Sequence, residues 1–236
     1  MKKPPLRYRH TAPELDSPLR ELEENGALDP PRVRLVLAAA ATTQGVPETV
    51  RGVLEAVLAR GAQVDAVREA VLQSYLFVGY PRVINALAAL RDVSGADAST
   101  TPPDLRLAAD QPSSWEEQGQ ALCGRIYGRR YAKLLDTMAR LSPDLPRWMV
   151  LEGYGKVLSR PHLDTKTREL VAVGSLVPLR VPEQLRAHSR GALNVGASPD
   201  EVRHALNVAA LLCPRESAPA LRVLERVLGE LDHESF

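Results

Sequence analysis

One stretch of this chain occurs twice. Val181–Gly196, VPEQLRAHSRGALNVG, repeats the plainer VPETVRGVLEAVLARG of Val46–Gly61, and the two stand 135 positions apart at both ends. The register continues downstream through Ala62/Ala197, Asp65/Asp200, Val67/Val202, Arg68/Arg203 and Ala70/Ala205, and upstream through Leu35/Leu170 and Val36/Val171. Agreement at so many positions in one frame is an internal duplication, and it requires both halves to build the same unit. Proline opens each copy and glycine closes it, the start and stop signals of a helical hairpin. Val50, Val53, Leu54, Val57 and Leu58 form an i, i+3, i+4, i+7, i+8 apolar stripe. No segment sustains the alternation of a strand, so the expected fold class is all-α, a duplicated helical module.

The chain divides around these copies. Residues 1–30 carry Pro4, Pro5, Pro13, Pro18 and Pro30 and read as an N-terminal arm with one short helix near Pro18–Asn25. A first module follows over 31–93, with helices from Pro30 to Thr43, over 47–60 and 64–79, and from Pro81 to Arg91. The composition then shifts to SGADASTTPPD, a linker placed at 94–114. The second module is 115–236. It opens with a helix over Trp115–Leu141, then a helix with turns over 142–164. Asp164 caps the helix carrying Thr167–Leu176, and Ser198–Glu201 is a capping box opening Glu201–Leu212. The last helix is expected over Ala218–Leu231.

A duplicated chain also separates scaffold from site. Pro47/Pro182, Glu48/Glu183, Arg51/Arg186 and Gly61/Gly196 occur in both copies and are assigned to the fold. Polar residues confined to one copy are the functional candidates: Glu169 for Arg34, Gln184 for Thr49, His188 for Val53, Arg190 for Glu55 and Asn194 for Ala59. His188 is the most telling, because it replaces a member of the inward-facing stripe. Asn194, near its helix end, reads as a cap. Arg186 is set aside, because an i, i+3 pairing with Glu183, echoed by Glu48/Arg51, explains it.

Composition excludes several classes. A net charge of +1 gives no reason to expect nucleic acid as partner. The longest apolar run, Leu35–Ala41, is far too short to span a bilayer, and the N-terminus lacks the apolar core of a secretory signal. Cys123 and Cys213 form no CxxC pair, which suits a reducing compartment and gives no cysteine zinc site. His162 and His204 lack the companions of metal ligands. No metal and no cofactor is expected, no membrane partner, and a cytoplasmic location.

The stretches EGYGKVLSRPHLDTKTRELVAVGSL and EQLRAHSRGALNVGASPDEV resemble the gamma-carboxymuconolactone decarboxylases of the alkyl hydroperoxidase D-like superfamily. GYPRVINALAAL in the first half resembles the generic helical part. In thiol-dependent relatives the site is a glutamate, a cysteine twelve positions on, a second cysteine three further and a histidine four beyond. Aligned on His188, those positions hold Glu169, Val181, Gln184 and His188. The resemblance implies that the glutamate and histidine are kept and both thiols are lost. Thiol-peroxidase chemistry needs a thiolate and a resolving thiol, so it is not expected. In the first copy the same positions are Arg34, Val46, Thr49 and Val53, a degenerate site.

The activity this implies is a cofactor-independent lyase acting on a small cyclic carboxylic acid, with His188 as general acid or base and Glu169 setting its tautomer. Arg180 and Arg190 suit substrate carboxylates, with Gln184 beside them. Relatives assemble as rings of single modules, so a fused pair is expected to form a homotrimer, a pseudo-hexameric ring. The alternative is a non-catalytic ligand-binding or assembly protein that kept the fold. A lyase should have His188 facing a cavity with an arginine pointing in. A scaffold should have it packed and bonded to backbone.

Overall fold

A computed structural model describes residues 10–95 and 112–234. The described residues form helices and turns only. In chain order they are α1 (Ala12–Glu24), α2 (Pro30–Gln44), α3 (Pro47–Ala59), α4 (Val64–Gln73), α5 (Tyr75–Ser94), α6 (Pro112–Tyr127), a 3-10 turn (Gly128–Arg130), α7 (Tyr131–Leu141) and α8 (Leu145–Trp148). A π-helix (Met149–Leu158) follows, then α9 (Thr165–Leu176), α10 (Pro182–Asn194), α11 (Pro199–Ala210), a 3-10 turn (Pro214–Glu216) and α12 (Ser217–Glu234).

The repeat is visible in where helices begin. α2, α3 and α4 start at Pro30, Pro47 and Val64, and α9, α10 and α11 start 135 residues later at Thr165, Pro182 and Pro199. The caps repeat too. Asp29 accepts from the Arg32 backbone N–H at the head of α2, and Asp164 accepts from the Thr167 N–H at the head of α9. These equivalent residues meet across the molecule: Arg32 Nε donates to Thr167 Oγ1 at 2.9 Å and Nη2 lies 3.3 Å from Asp164. α2 and α9 therefore pack against each other as the paired centre of the fold.

Both copies share one core. Leu15, Val36, Val53, Leu170, Leu206 and Leu224 belong to a single buried cluster. Each such side chain contributes about 1.5–3 kcal/mol by leaving water. A smaller cluster of Leu122, Cys123, Ile126, Val150, Tyr154 and Leu158 joins α6 to the π-helix. Glycines permit that contact. A Cβ at Gly155 would stand 1.9 Å from the Trp115 carbonyl oxygen, so the two backbones touch.

Several helix boundaries differ from expectation. The short helix near Pro18 starts earlier, at Ala12, because Thr11 and Glu14 form a capping box; it buries Leu15 and Leu19. Pro81 stands in the first turn of a helical segment as expected, although that segment belongs to α5 across a kink. The kink is at Gly79, whose φ of 69° suits a residue without a side chain. The helix expected over Trp115–Leu141 is broken at Gly128–Arg130, and part of 142–164 is π-helical. Most of the linker expected at 94–114 lies outside the described residues, as do residues 1–9 of the arm. Among the described residues no helix is long and apolar enough to cross a membrane.

Candidate active site

α9 is held at its head by the Asp164 cap, and its fifth residue, Glu169, is fully buried at 0% exposure. α10 packs beside α9 and carries His188 to it. His188 Nδ1 and Glu169 Oε2 are 2.9 Å apart. A carboxylate can only accept, so Nδ1 carries the proton and Nε2 is left as the exchanging position. Nε2 has no hydrogen-bond partner among the described residues, and the His188 side chain keeps 12% exposure. Phe77 of α5 sets its ring edge-on to the imidazole at 5.7 Å, so the first copy supplies one wall.

The remaining Glu169 oxygen is the unusual one. Oε1 is buried with no hydrogen-bond partner among the described residues. A buried polar atom left so costs about 1–3 kcal/mol and calls for an explanation in function. The nearby cations do not supply one. Lys166 pairs with Glu201 at 2.8 Å and Arg168 with Glu69 at 3.0 Å, so neither is the ion-pair partner of Glu169.

Two tyrosines stand close by. The hydroxyls of Tyr127 on α6 and Tyr154 on the π-helix share a short hydrogen bond. Burial first, and then the Glu169 charge, pushes the Tyr127 phenol well above its ordinary range. Burial, Tyr127 and Glu169 do the same to Tyr154. Both phenols therefore stay protonated as donors at neutral pH. Neither was singled out from sequence. Tyr154 stands 135 positions after Leu19, so carrying the repeat comparison further upstream would have flagged it. Tyr127 has no counterpart in the first copy and no sequence signal.

In the first copy the same slots hold other chemistry. Arg34 Nε donates to Glu23 at 2.6 Å, Arg60 closes on the same carboxylate, and Val53 is buried.

The other sequence candidates scatter. Arg180 is 71% exposed and bound to Glu216 at 2.8 Å, because the turn after α9 points it away from α10; it is not brought to His188. Gln184 is exposed on the first turn of α10. Arg190 is buried and donates to Glu230 at 2.8 Å, on a different side of α10 from His188, as a two-residue step on a helix requires. Asn194 is no cap. Its Nδ2 donates to the Ile126 carbonyl and ties α10 to α6. His204 Nδ1 accepts from the Leu28 N–H, a structural role. Cys213 lies past the end of α11, its thiol directed at the Ala209 carbonyl.

The carboxymuconolactone decarboxylase family matches residues 14–92 and 143–226, and the chain belongs to it. Peroxisomal protein 2 of Schizosaccharomyces pombe is 32% identical over 78% of this chain and 87% of its own length. Peroxisomal protein 2 of Saccharomyces cerevisiae is 26% identical over 61% of this chain and 59% of its own. The 4-carboxymuconolactone decarboxylase of Acinetobacter baylyi is 27% identical over 49% of this chain and 87% of its own.

Proposed function

We propose that the chain is a decarboxylase-like lyase for a small cyclic carboxylic acid, with the working site in the second module, 115–236, and the first module, 31–93, as its support. The observation that carries this is the buried Glu169–His188 pair with its open Nε2 and partnerless Glu169 Oε1. A purely structural histidine would be bonded to backbone, and a core position would hold valine, as Val53 does in the first copy.

In the proposed step the bond between the ring carbon and the substrate carboxylate breaks, and carbon dioxide leaves. The electron pair stays on that carbon and delocalises into the adjoining carbonyl. Imidazolium Nε2–H then gives its proton to the carbon, leaving the neutral Nδ1–H tautomer that Glu169 holds. Glu169 positions the ring. Arg190 is given no part, since it lies on a different side of α10 and is held by Glu230. Arg180 is given no part, since it is turned out to Glu216; Gln184, one helical turn before His188 on the same face of α10, stays the polar candidate beside the pair.

Kinship with the A. baylyi decarboxylase supports this reading. The kinship with two proteins named for the peroxisome adds the peroxisome to the cytoplasm as a candidate location. Imaging the full chain with a fluorescent tag distinguishes the compartments. For activity, lactone acids are screened with wild type and His188→Val side by side. Turnover by wild type alone, with both proteins folded, supports the lyase. No turnover by either, together with a melting temperature lowered by several degrees in the variant, makes His188 a core residue and sinks the proposal.

A further inference from the structure

The hydroxyls of Tyr127 and Tyr154 hold two protons between them and share one hydrogen bond. One O–H is therefore spent on the other phenol, and one is left over. Neither hydroxyl has another hydrogen-bond partner among the described residues. The same part of the molecule holds the opposite deficit. Glu169 Oε2 is taken by His188 Nδ1, while Oε1 is buried and without a donor among the described residues. Packing brings the spare donor and the spare acceptor together. Ile126, the residue before Tyr127, and Glu169 meet the same point of α10: a Cβ at Gly191 would lie 2.8 Å from Ile126 Cγ2 and 2.6 Å from Glu169 Oε2. Asn194 Nδ2 donates to the Ile126 carbonyl at 2.8 Å and fixes the end of α6 against α10. The Glu169 charge is felt at Tyr127, Tyr154 and Cys123, three side chains of one small cluster.

We propose that the tyrosine pair positions the Glu169–His188 couple: the spare phenol proton goes to Glu169 Oε1 through one buried water. This rests on the reading of His188 as the working acid, but the contact itself does not require turnover. Oε1 makes no direct bond to either hydroxyl, and buried water joins polar groups that would otherwise go unsatisfied. With both oxygens engaged the carboxylate cannot turn about its own axis, so Oε2 stays where the Nδ1–H meets it in line. A carboxylate held by one oxygen alone is free to rotate and to release the imidazole to its other tautomer. The first copy has neither half of the arrangement: Leu19 stands in the place of Tyr154, and Arg34 in the place of Glu169. Donor and acceptor are present together or absent together.

Nitrogen-15 NMR of the imidazoles of the full chain in alkaline buffer tests this, with His188 assigned by its loss in His188→Val. Wild type should show the His188 proton on Nδ1, as two well-separated nitrogen signals. The Tyr127→Phe/Tyr154→Phe double variant keeps both rings in the cluster and should draw those signals together as the tautomers mix. If the double variant does not fold, one of the two single Phe variants should give the same change. Tyr131→Phe, in the same cluster but outside the hydroxyl pair, should leave the signals in place. A crystal structure should show a water within hydrogen-bond distance of Oε1 and of one phenol oxygen. Where wild type turns over a lactone acid, the double variant should lose tenfold or more in kcat with KM within about twofold, since the phenols act through Glu169. No turnover by any of these proteins removes the lyase reading and leaves the NMR comparison standing. The proposal is overturned by unchanged His188 signals in the folded double variant or in both single variants, by an equal change in Tyr131→Phe, or by no water at Oε1.

Discussion

Gly191 lies directly against Glu169: a Cβ at that position would stand 2.6 Å from Oε2, the oxygen that holds His188, and 2.8 Å from Ile126 Cγ2. The absence of a side chain on α10 is therefore what lets the carboxylate reach the imidazole. Gly191→Ala should push Glu169 off His188. Overpacking of this kind costs about 1–3 kcal/mol, so the variant should fold with a lowered melting temperature. Where wild type turns over a substrate, the variant should lose tenfold or more in kcat. A fully active Gly191→Ala would show that the Glu169–His188 contact does not serve the chemistry.

The two thiols should be inert. Burial, then the charge of Glu216, pushes the Cys213 thiol up to about 12. Burial and Glu169 push Cys123 up as well. Only a thiolate attacks a peroxide, and at pH 8 almost none forms at either residue. Labelling by a disulfide reagent at pH 8 should be far slower than for a free thiol, and peroxide should not be consumed with a dithiol donor. Peroxide turnover abolished by Cys213→Ser would contradict this.

Glu69 joins the two copies. Its carboxylate accepts from Arg160 Nη2 at 2.6 Å and Nε at 2.9 Å, and from Arg168 Nη2 at 3.0 Å. Burial alone would raise its pKa, but the two guanidinium groups outweigh it and hold the group below its ordinary 4.5. A depressed folded-state pKa contributes stability that is full above the unfolded value and lost as pH falls through the folded one. Urea unfolding should therefore show this contribution intact at pH 7 and fading below about pH 4.5. Glu69→Ala leaves two arginines without their carboxylate and should cost about 3–5 kcal/mol at pH 7, with the difference from wild type shrinking in acid. An equal difference at both pH values would reject the assignment.

The repeat made the helices legible, because α3 and α10 each run from a proline to a residue just short of the closing glycine. It also made Glu169 and His188 legible, since each breaks a position that its copy fills differently. What it hid was everything outside the repeated frame. Tyr127 ends α6 and Gly128 begins the turn after it, and to neither does an earlier segment correspond. Arg180 misled for a related reason. Nearness in sequence to α10 says nothing about direction, and the residue adopts a positive φ of 59° that turns it out toward Glu216.

Assembly is the last expectation, and it rests on apolar surfaces that the described residues of one chain leave uncovered. Tyr80 and Ile84 on α5, Leu141 on α7 and Trp148 on α8 are large apolar side chains standing in solvent. On α7 the residues Tyr131, Leu134, Leu135 and Met138 fall at i, i+3, i+4 and i+7; Tyr131 and Leu135 pack against the smaller core cluster, yet all four are only half-buried by the described residues. An apolar stripe of this kind hides itself against a neighbour. Two modules in each chain make three chains the number that completes a six-module ring, so light scattering at micromolar concentration should give about three times the 25.8 kDa of one chain. Leu141→Asp with Trp148→Glu should shift the population toward smaller species, with helicity by circular dichroism retained, because neither side chain belongs to the buried core. A wild-type mass of one chain at that concentration would rule the ring out.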